Sequence, residues 1–472
     1  MKRTAILNVV GLTQRLIGAN TPNLARFAAG GALCTVRPAF PAVTCTAQAT
    51  YLTGLSPADH GIVANGWYDR ELAEVHFWKQ SNRLVSGEKL WEKAREIAPG
   101  FTCANLFWWF NRYSSVDYSI TPRPIYCADG KKIFDITSEP LSITPEIKRD
   151  LGEFPFASFW GPRAGIASSR WIADAAKWIE KKHSPSLNLI YLPHLDYNLQ
   201  RLGPDLNSPV IQADLRRIDA IVGELIAFFQ AREVEVIILS EYGITPVDQP
   251  VYLNRIFREH GWLALKEEQG REILDCGASR VFAVADHQIA HVYVKDSSDT
   301  AFLKEVRAVL EQVQGVENLL DREAQKAEGI WHARSGDFLA VAAPKAWFCY
   351  YYWEDDRRAP DFARTVDIHR KPGYDPAELF IDPAIAFPKL RVAKFLLKKK
   401  LGFRALLEAI PLDAGLVRGS HGRVPEDAAD HPVLIVGNGE TCKPGNKAAD
   451  NLPETTEGRN VFGLLLSNLI RQ

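Results

Sequence analysis

Short, nearly unbroken apolar runs alternate with longer stretches of helical spacing through the first half of the chain. Thr4–Val10 is one such run, as a parallel strand covered on both faces requires. TPNLARFAAGG follows, with Thr21 placed to cap, Pro22 at the first helical position and Gly30 at the close. Leu33–Val36 predicts the next strand. Gly87–Ile97 has helical spacing, and Thr102–Trp109 returns as a strand. Ser169–Lys182 predicts a helix, Leu187–Leu192 a strand, Val210–Arg232 a long amphipathic helix, and Val234–Leu239 another strand. This repetition predicts an α/β fold with a doubly wound, mostly parallel sheet and helices on both faces. Functional groups gather beyond the carboxyl ends of strands in such sheets. PHLDYNLQRLGPD and SEYGITP place Asp196 and Glu241 there.

The pattern loosens after Gly261. SRVFAVADHQIAHVYVKD predicts two antiparallel strands, Ala301–Val313 a helix, and FLAVAAPKAWFCYYYW a strand pair around Pro344. Residues 1–260 are therefore expected to begin the core, 261–387 to form an inserted α+β cap or lid, and 388–472 to return to the core. In that last part His431–Val436 should rejoin the main sheet, and Asn438–Gly458 is expected to be an exposed loop. Ahead of both lies a basic helix over 389–406, with seven basic residues from Lys389 to Arg404 and none acidic. Such a segment is either a solvated helix face or a contact for a membrane surface or polyanion.

Composition narrows the function classes. Hydrophobic residues at 46% and charged residues at 24% suit a globular chain, and a net charge of −1 gives no electrostatic reason to expect a nucleic acid polymer as partner. The 472-residue length calls for a large domain with an insertion, or for two domains. Cysteines 34, 45, 103, 127, 276, 349 and 442 form no C-x-x-C pair, which argues for reduced thiols and against a cysteine zinc site. The apolar run after MKR breaks at Asn8 and Gly11, so a core strand is expected rather than a signal peptide. No window reaches 18 uninterrupted apolar residues. A cytoplasmic protein is expected; its oligomeric state is open.

Candidate chemistry centres on PAFPAVTCTAQATYLTGLSPADHGIVANGWYD, from Pro38 to Asp69. Thr44 is the first residue that could open a helix. A hydroxyl there sits among unpaired backbone N–H groups and the positive end of the helix dipole, a place suited to an anion. The plainer alternative is an N-cap. The spacing of Thr53, Gly54, Pro57, His60, Gly61, Ile62, Asn65 and Asp69 after Thr44 resembles the nucleotide pyrophosphatase/phosphodiesterase (type I phosphodiesterase) branch of the alkaline phosphatase superfamily. The resemblance covers Thr4–Leu265 and Val417–Gly437.

It implies an alkaline-phosphatase-like fold and metal-dependent hydrolysis of a small phosphorylated substrate. Thr44 would be the nucleophile, forming a phospho-threonyl intermediate, and Asn65 would bind phosphate. It also implies two divalent cations. Asp196 and His421 match ligand positions of the first, with Gln200 where the family has histidine. Glu241-Tyr242 stands where the second has an Asp-His pair, and Val10-Gly11 replaces an Asp-Gly, with Asn8 nearby. Zinc is implied by the resemblance; oxygen ligands in place of imidazoles favour Mn or Mg, or an empty site. His194 and His369 are neighbours that could rebuild a site. His287 and His291 have i, i+4 spacing, which serves a metal only on a helix, and that stretch reads as strands. The clusters Leu106–Tyr113 and Ala346–Trp353 could line a cleft or pack in the core. The alternative function is a degenerate member that binds a phosphorylated ligand without turnover, or acts as a partner in a biosynthetic pathway.

Overall fold

The computed structural model describes residues 1–129, 132–403, 405–437 and 452–470. Thirteen strands carry the two larger sheets. In chain order they are β1 (Thr4–Val9), β2 (Ala32–Arg37), β3 (Cys103–Leu106), β4 (Tyr118–Tyr126), β5 (Lys132–Glu139), β6 (Leu187–Leu192), β7 (Glu235–Leu239), β8 (Val281–Asp286), β9 (Ile289–Val294), β10 (Val316–Asp321), β11 (Phe338–Ala342), β12 (Val433–Val436) and β13 (Thr455–Glu457). Nine form one sheet in the order β13-β2-β12-β7-β1-β6-β3-β4-β5. Its centre is parallel: β1 pairs with β6 on one side and β7 on the other. β12 and β5 run antiparallel to their neighbours. Every residue of β1 and β6 is buried, which is why both are written in apolar residues on both faces.

Helices Ile166–His183 and Pro209–Gln230 pack on each other, the first also over β6 and the second over β7. The chain closes with a helix, Val461–Ile470, that the sequence did not announce; it packs on Leu90–Ile97 and on Thr44–Thr53. The expected loop over 438–458 is corrected in part. Residues 438–451 lie outside the described residues, but Thr455–Glu457 is a strand paired parallel with β2. Six cysteines are free thiols, and Cys442 lies outside the described residues.

β8 to β11 form a separate four-stranded sheet in the order β8-β9-β11-β10. β8 and β9 make the expected hairpin. The pair expected around Pro344 does not form. β11 bonds to β9 and β10, while Ala346–Phe348 pairs instead with Gln249–Val251. The aromatic run Trp347–Trp353 is fully buried in the core beside this sheet, so packing and not cleft lining accounts for it. The basic helix is shorter than expected, Pro388–Lys400, and Arg404 lies outside the described residues. Among the described residues no helix is long and apolar enough to cross a membrane.

Candidate active site

The helix Thr44–Thr53 is buried along its whole length, which explains its small and hydroxylated residues: little else fits between the sheet and the helices around it. Gly54 ends it in the left-handed region at φ +69, and a Cβ there would press on Phe462. Val43 is extended and Thr44 is the first helical residue. The Thr44 hydroxyl does not cap the helix. Its Oγ1 lies 3.1 Å from the Tyr242 hydroxyl, which in turn donates to Asp196 Oδ1 at 3.2 Å. Asn65 accepts from the Cys45 N–H at 2.9 Å, so the segment after the helix is tied back onto its first turn.

Two carboxyl groups come from strand ends. Asp196 sits in the first turn of His194–Leu202, directly after β6. Glu241 follows β7, and Gly243 permits the turn, since a Cβ there would meet the Asp430 carbonyl at 1.8 Å. Asn8 and Gln48 both donate to Glu241 Oε1, at 2.6 and 2.5 Å. Asn8 lies opposite Leu239 in the parallel register, and Gln48 is one helical turn beyond Thr44. Burial pushes the Glu241 carboxyl up to about 8, against the pull of its amide donors. Burial likewise raises Asp196 to about 7, opposed by bonds from Tyr242 and Gln200.

Four rings complete the site. Tyr242 stacks on His421 with centroids 3.6 Å apart, His421 on His287 at 3.7 Å, and His287 on Tyr374 at 3.6 Å. Tyr374 donates to Gln200 Oε1 at 2.8 Å, and Gln200 donates to Asp196 Oδ2 at 2.7 Å, which closes the circuit. His287 belongs to the β8–β9 turn and takes φ +62, a conformation that costs a non-glycine residue about 1 kcal/mol. Asp286 beside it bonds His287 Nδ1 at 2.7 Å and accepts from Asn65 N and Nδ2 at 2.8 and 3.1 Å. Burial lowers both imidazoles, for His421 with the neighbouring His287 adding to it, and so favours their neutral forms.

The sequence-derived residues therefore divide. Thr44, Asn65, Asp196, Gln200, Glu241 and His421 come together. His369 is exposed at the rim of the same cleft. His194 turns away, its Nε2 3.2 Å from Asp214. Gln48, Asp286 and Tyr374 were missed, and His287, weighed with His291 as a metal pair and set aside because the stretch reads as strands, does reach the site, while His291 bonds the Val63 carbonyl. Gln48 had a signal in its position one turn after Thr44; Asp286 and Tyr374 lie far along the chain.

Members of the resembled family generally depend on divalent metal. The residues present do not fit a pair of cations. Among the described residues no group of three or more His, Cys, Asp or Glu could hold a metal ion. The Tyr242 phenol stands between Thr44 and Asp196, and amide N–H groups face both Glu241 and Asp196. Three acceptors of the cluster are left without a hydrogen-bond partner: His421 Nε2, 3.9 Å from Asp196 Oδ1, together with Glu241 Oε2 and Asn8 Oδ1. His421 Nδ1 is engaged with the Ala42 carbonyl at 2.8 Å.

Thr44, Asp196, Tyr242, His287 and Tyr374 of this cluster form the floor of a cleft of about 750 Å³. Trp78, Trp109, Phe159 and Trp160 line its walls, and Lys79, Arg112, Arg123, Lys132 and Arg163 stand among its lining residues. Such a cleft suits an anion carrying a flat or apolar group.

Residues 4–375 match the family described as Type I phosphodiesterase / nucleotide pyrophosphatase. An uncharacterized pyrophosphatase/phosphodiesterase of Schizosaccharomyces pombe is 27% identical over 234 residues, 47% of this chain and 40% of that protein. The match thus spans well under half of that relative's length. Among solved structures, murine ectonucleotide pyrophosphatase/phosphodiesterase 5 superposes with TM-score 0.56 at 15% identity, covering 100% of this chain and 96% of that one. Phosphonoacetate hydrolase from Sinorhizobium meliloti, bound to phosphonoformate, gives 0.57 at 13%, covering 99% and 96%. At these identities the structural likeness shows the alkaline-phosphatase-like fold alone.

Proposed function

Because this chain belongs to the type I phosphodiesterase / nucleotide pyrophosphatase family, we propose that it hydrolyses phosphate esters with Thr44 as nucleophile. The observation that carries this is the line Thr44 Oγ1, Tyr242 hydroxyl, Asp196 carboxylate on the floor of the cleft. Thr44 Oγ1 attacks phosphorus, the new O–P bond forms and the ester P–O bond breaks. The Thr44 proton passes to the Tyr242 oxygen as Tyr242 gives its own to Asp196. An acid near 7 is well placed to take it. The leaving oxygen is protonated from solvent in the open cleft. Water then attacks phosphorus, losing a proton to solvent as the Thr44 O–P bond breaks, and the relay runs back, returning the proton held by Asp196 to Oγ1. The positive end of the Thr44–Thr53 helix and the cations lining the cleft offset charge on the phosphoryl oxygens. No step is assigned to zinc, manganese or magnesium.

A second reading, binding of a phosphorylated ligand without turnover, is favoured by one observation: both Asp196 oxygens are already engaged, by Tyr242 and Gln200. Hydrolysis of p-nitrophenyl phosphodiester and monoester, with and without a chelator, separates the two. Turnover that survives chelation and falls at least about 1000-fold in a folded Thr44→Ala variant is expected. Undiminished turnover in Thr44→Ala removes Thr44 from the reaction. A ligand-induced rise in Tm with no product favours the second reading.

A further inference from the structure

The helix Pro388–Lys400 has no buried residue. Its half-buried positions, Pro388, Val392 and Phe395, share one side, turned toward the protein. On the opposite side Leu390, Ala393, Leu397 and Leu401 recur at helical spacing. Leu390 is 67% exposed, Leu397 57% and Leu401 65%. Arg391, Lys394 and Lys398 flank this stripe on one side, and Lys389 and Lys400 on the other. Exposed Phe387 and Phe403 bracket the helix. The arm is rooted where Asp382 N–H bonds the Ala409 carbonyl and Ala409 N–H bonds the Arg364 carbonyl, at 2.8 and 2.9 Å. An ion pair from Arg391 to Glu408, at 3.3 Å, braces it.

An apolar stripe costs solvation free energy when left in water, and a folded chain keeps one outward only where something covers it. The flanking charge identifies the cover. No acidic residue occurs from Pro383 to Leu407. Two copies of so cationic a face would repel, which disfavours self-association through it. A nucleic acid would pair with the lysines and leave the leucines wet. We propose that this arm docks the protein on an anionic lipid bilayer, with the leucines entering the acyl boundary and the lysines meeting the headgroups. Leu407, just past the arm, lines the cleft, so docking brings the cleft mouth to the lipid surface.

The test is co-sedimentation of the full chain with phosphatidylcholine vesicles, with and without phosphatidylserine, beside a Leu390→Glu/Leu397→Glu/Leu401→Glu variant. All three positions are exposed, and circular dichroism checks that the variant folds. Binding to the anionic vesicles that weakens at least about tenfold in the variant, and about as strongly on raising salt to 1 M, is expected. Absence of vesicle binding, or equal binding by the variant, overturns the proposal. Binding of a single-stranded oligonucleotide without vesicle binding overturns it in favour of nucleic acid. A wild-type dimer that becomes monomeric in the variant, without vesicle binding, overturns it in favour of a second copy. None of these readouts depends on Thr44.

Discussion

On one side of Thr44 the site is made from the ends of β1, β6 and β7 and the residues just beyond them, which deliver Asn8, Asp196 and Glu241. On the other it is made from the β8–β9 turn, which delivers Asp286 and His287 from a different sheet. The first side satisfies its buried acids with amides and a phenol. The second spends its acid on Asn65 and His287 and so ties the turn after Thr44 to the second sheet. Buried acids on the first side are thus poised groups, whereas Asp286 is a fastening. Both lie within one ring stack, because His421 touches Tyr242 on one face and His287 on the other.

Breaking the fastening should have the largest effect. Asp286→Ala leaves the Asn65 backbone N–H, the Asn65 amide and His287 Nδ1 without their acceptor. A loss of about 3 kcal/mol is expected in urea unfolding. Asp286→Asn, which keeps one acceptor oxygen, should lose less. A loss under about 1 kcal/mol for the alanine variant would show that the two sheets do not depend on this turn.

The poised side should respond to pH. Glu241 has a folded value of about 8 against 4.5 for the free carboxyl, so the folded state holds a proton that the unfolded state releases. Its contribution is fully present below 4.5 and is lost as pH rises through 8. Glu241→Gln removes that titration while keeping an acceptor for Asn8 and Gln48. The variant should match the wild type near pH 4 and exceed it at pH 8 by at least about 2 kcal/mol in chemical denaturation. Asp196, raised to about 7, leaves some slope in both proteins. Parallel pH profiles would mean that Glu241 is ionised in the folded state.

This contrast also marks how far the sequence could be read. Strands β1, β6 and β7 appear as apolar runs, so Asp196 and Glu241 could be placed just beyond them, and the spaced motif from Thr44 to Asp69 located Thr44 and Asn65. Asp286 and His287 could not be found that way. ADHQ falls within a stretch that reads as two antiparallel strands, and nothing local says which surface the tip of such a hairpin will touch. The same limit hid the true partners of Phe338–Ala342 and Ala346–Phe348, because non-local pairing between short strands leaves no periodic trace. The aromatic runs were ambiguous for a related reason: Trp109 reached the cleft while Trp347–Trp353 went to the core, and one-dimensional hydrophobicity is equal for both.

The smallest change in stability should come from the atom that joins the two sides. Tyr242→Phe keeps the ring on His421 but removes the hydroxyl between Thr44 and Asp196. Asp196 retains Gln200 as a donor, so the stability loss should be about 1 kcal/mol. If the hydroxyl is the proton carrier, turnover should still fall about 10- to 100-fold, with KM for the p-nitrophenyl ester little changed, because the lost contact is to the nucleophile and not to the substrate. The rise of rate with pH that follows Asp196 ionisation should also flatten, since the base can no longer reach Thr44. A packing role alone would move Tm and leave both the rate and its pH profile intact. That outcome would leave Asp196 and Tyr242 as a structural pair and would confine the chemistry to Thr44 and the helix that carries it.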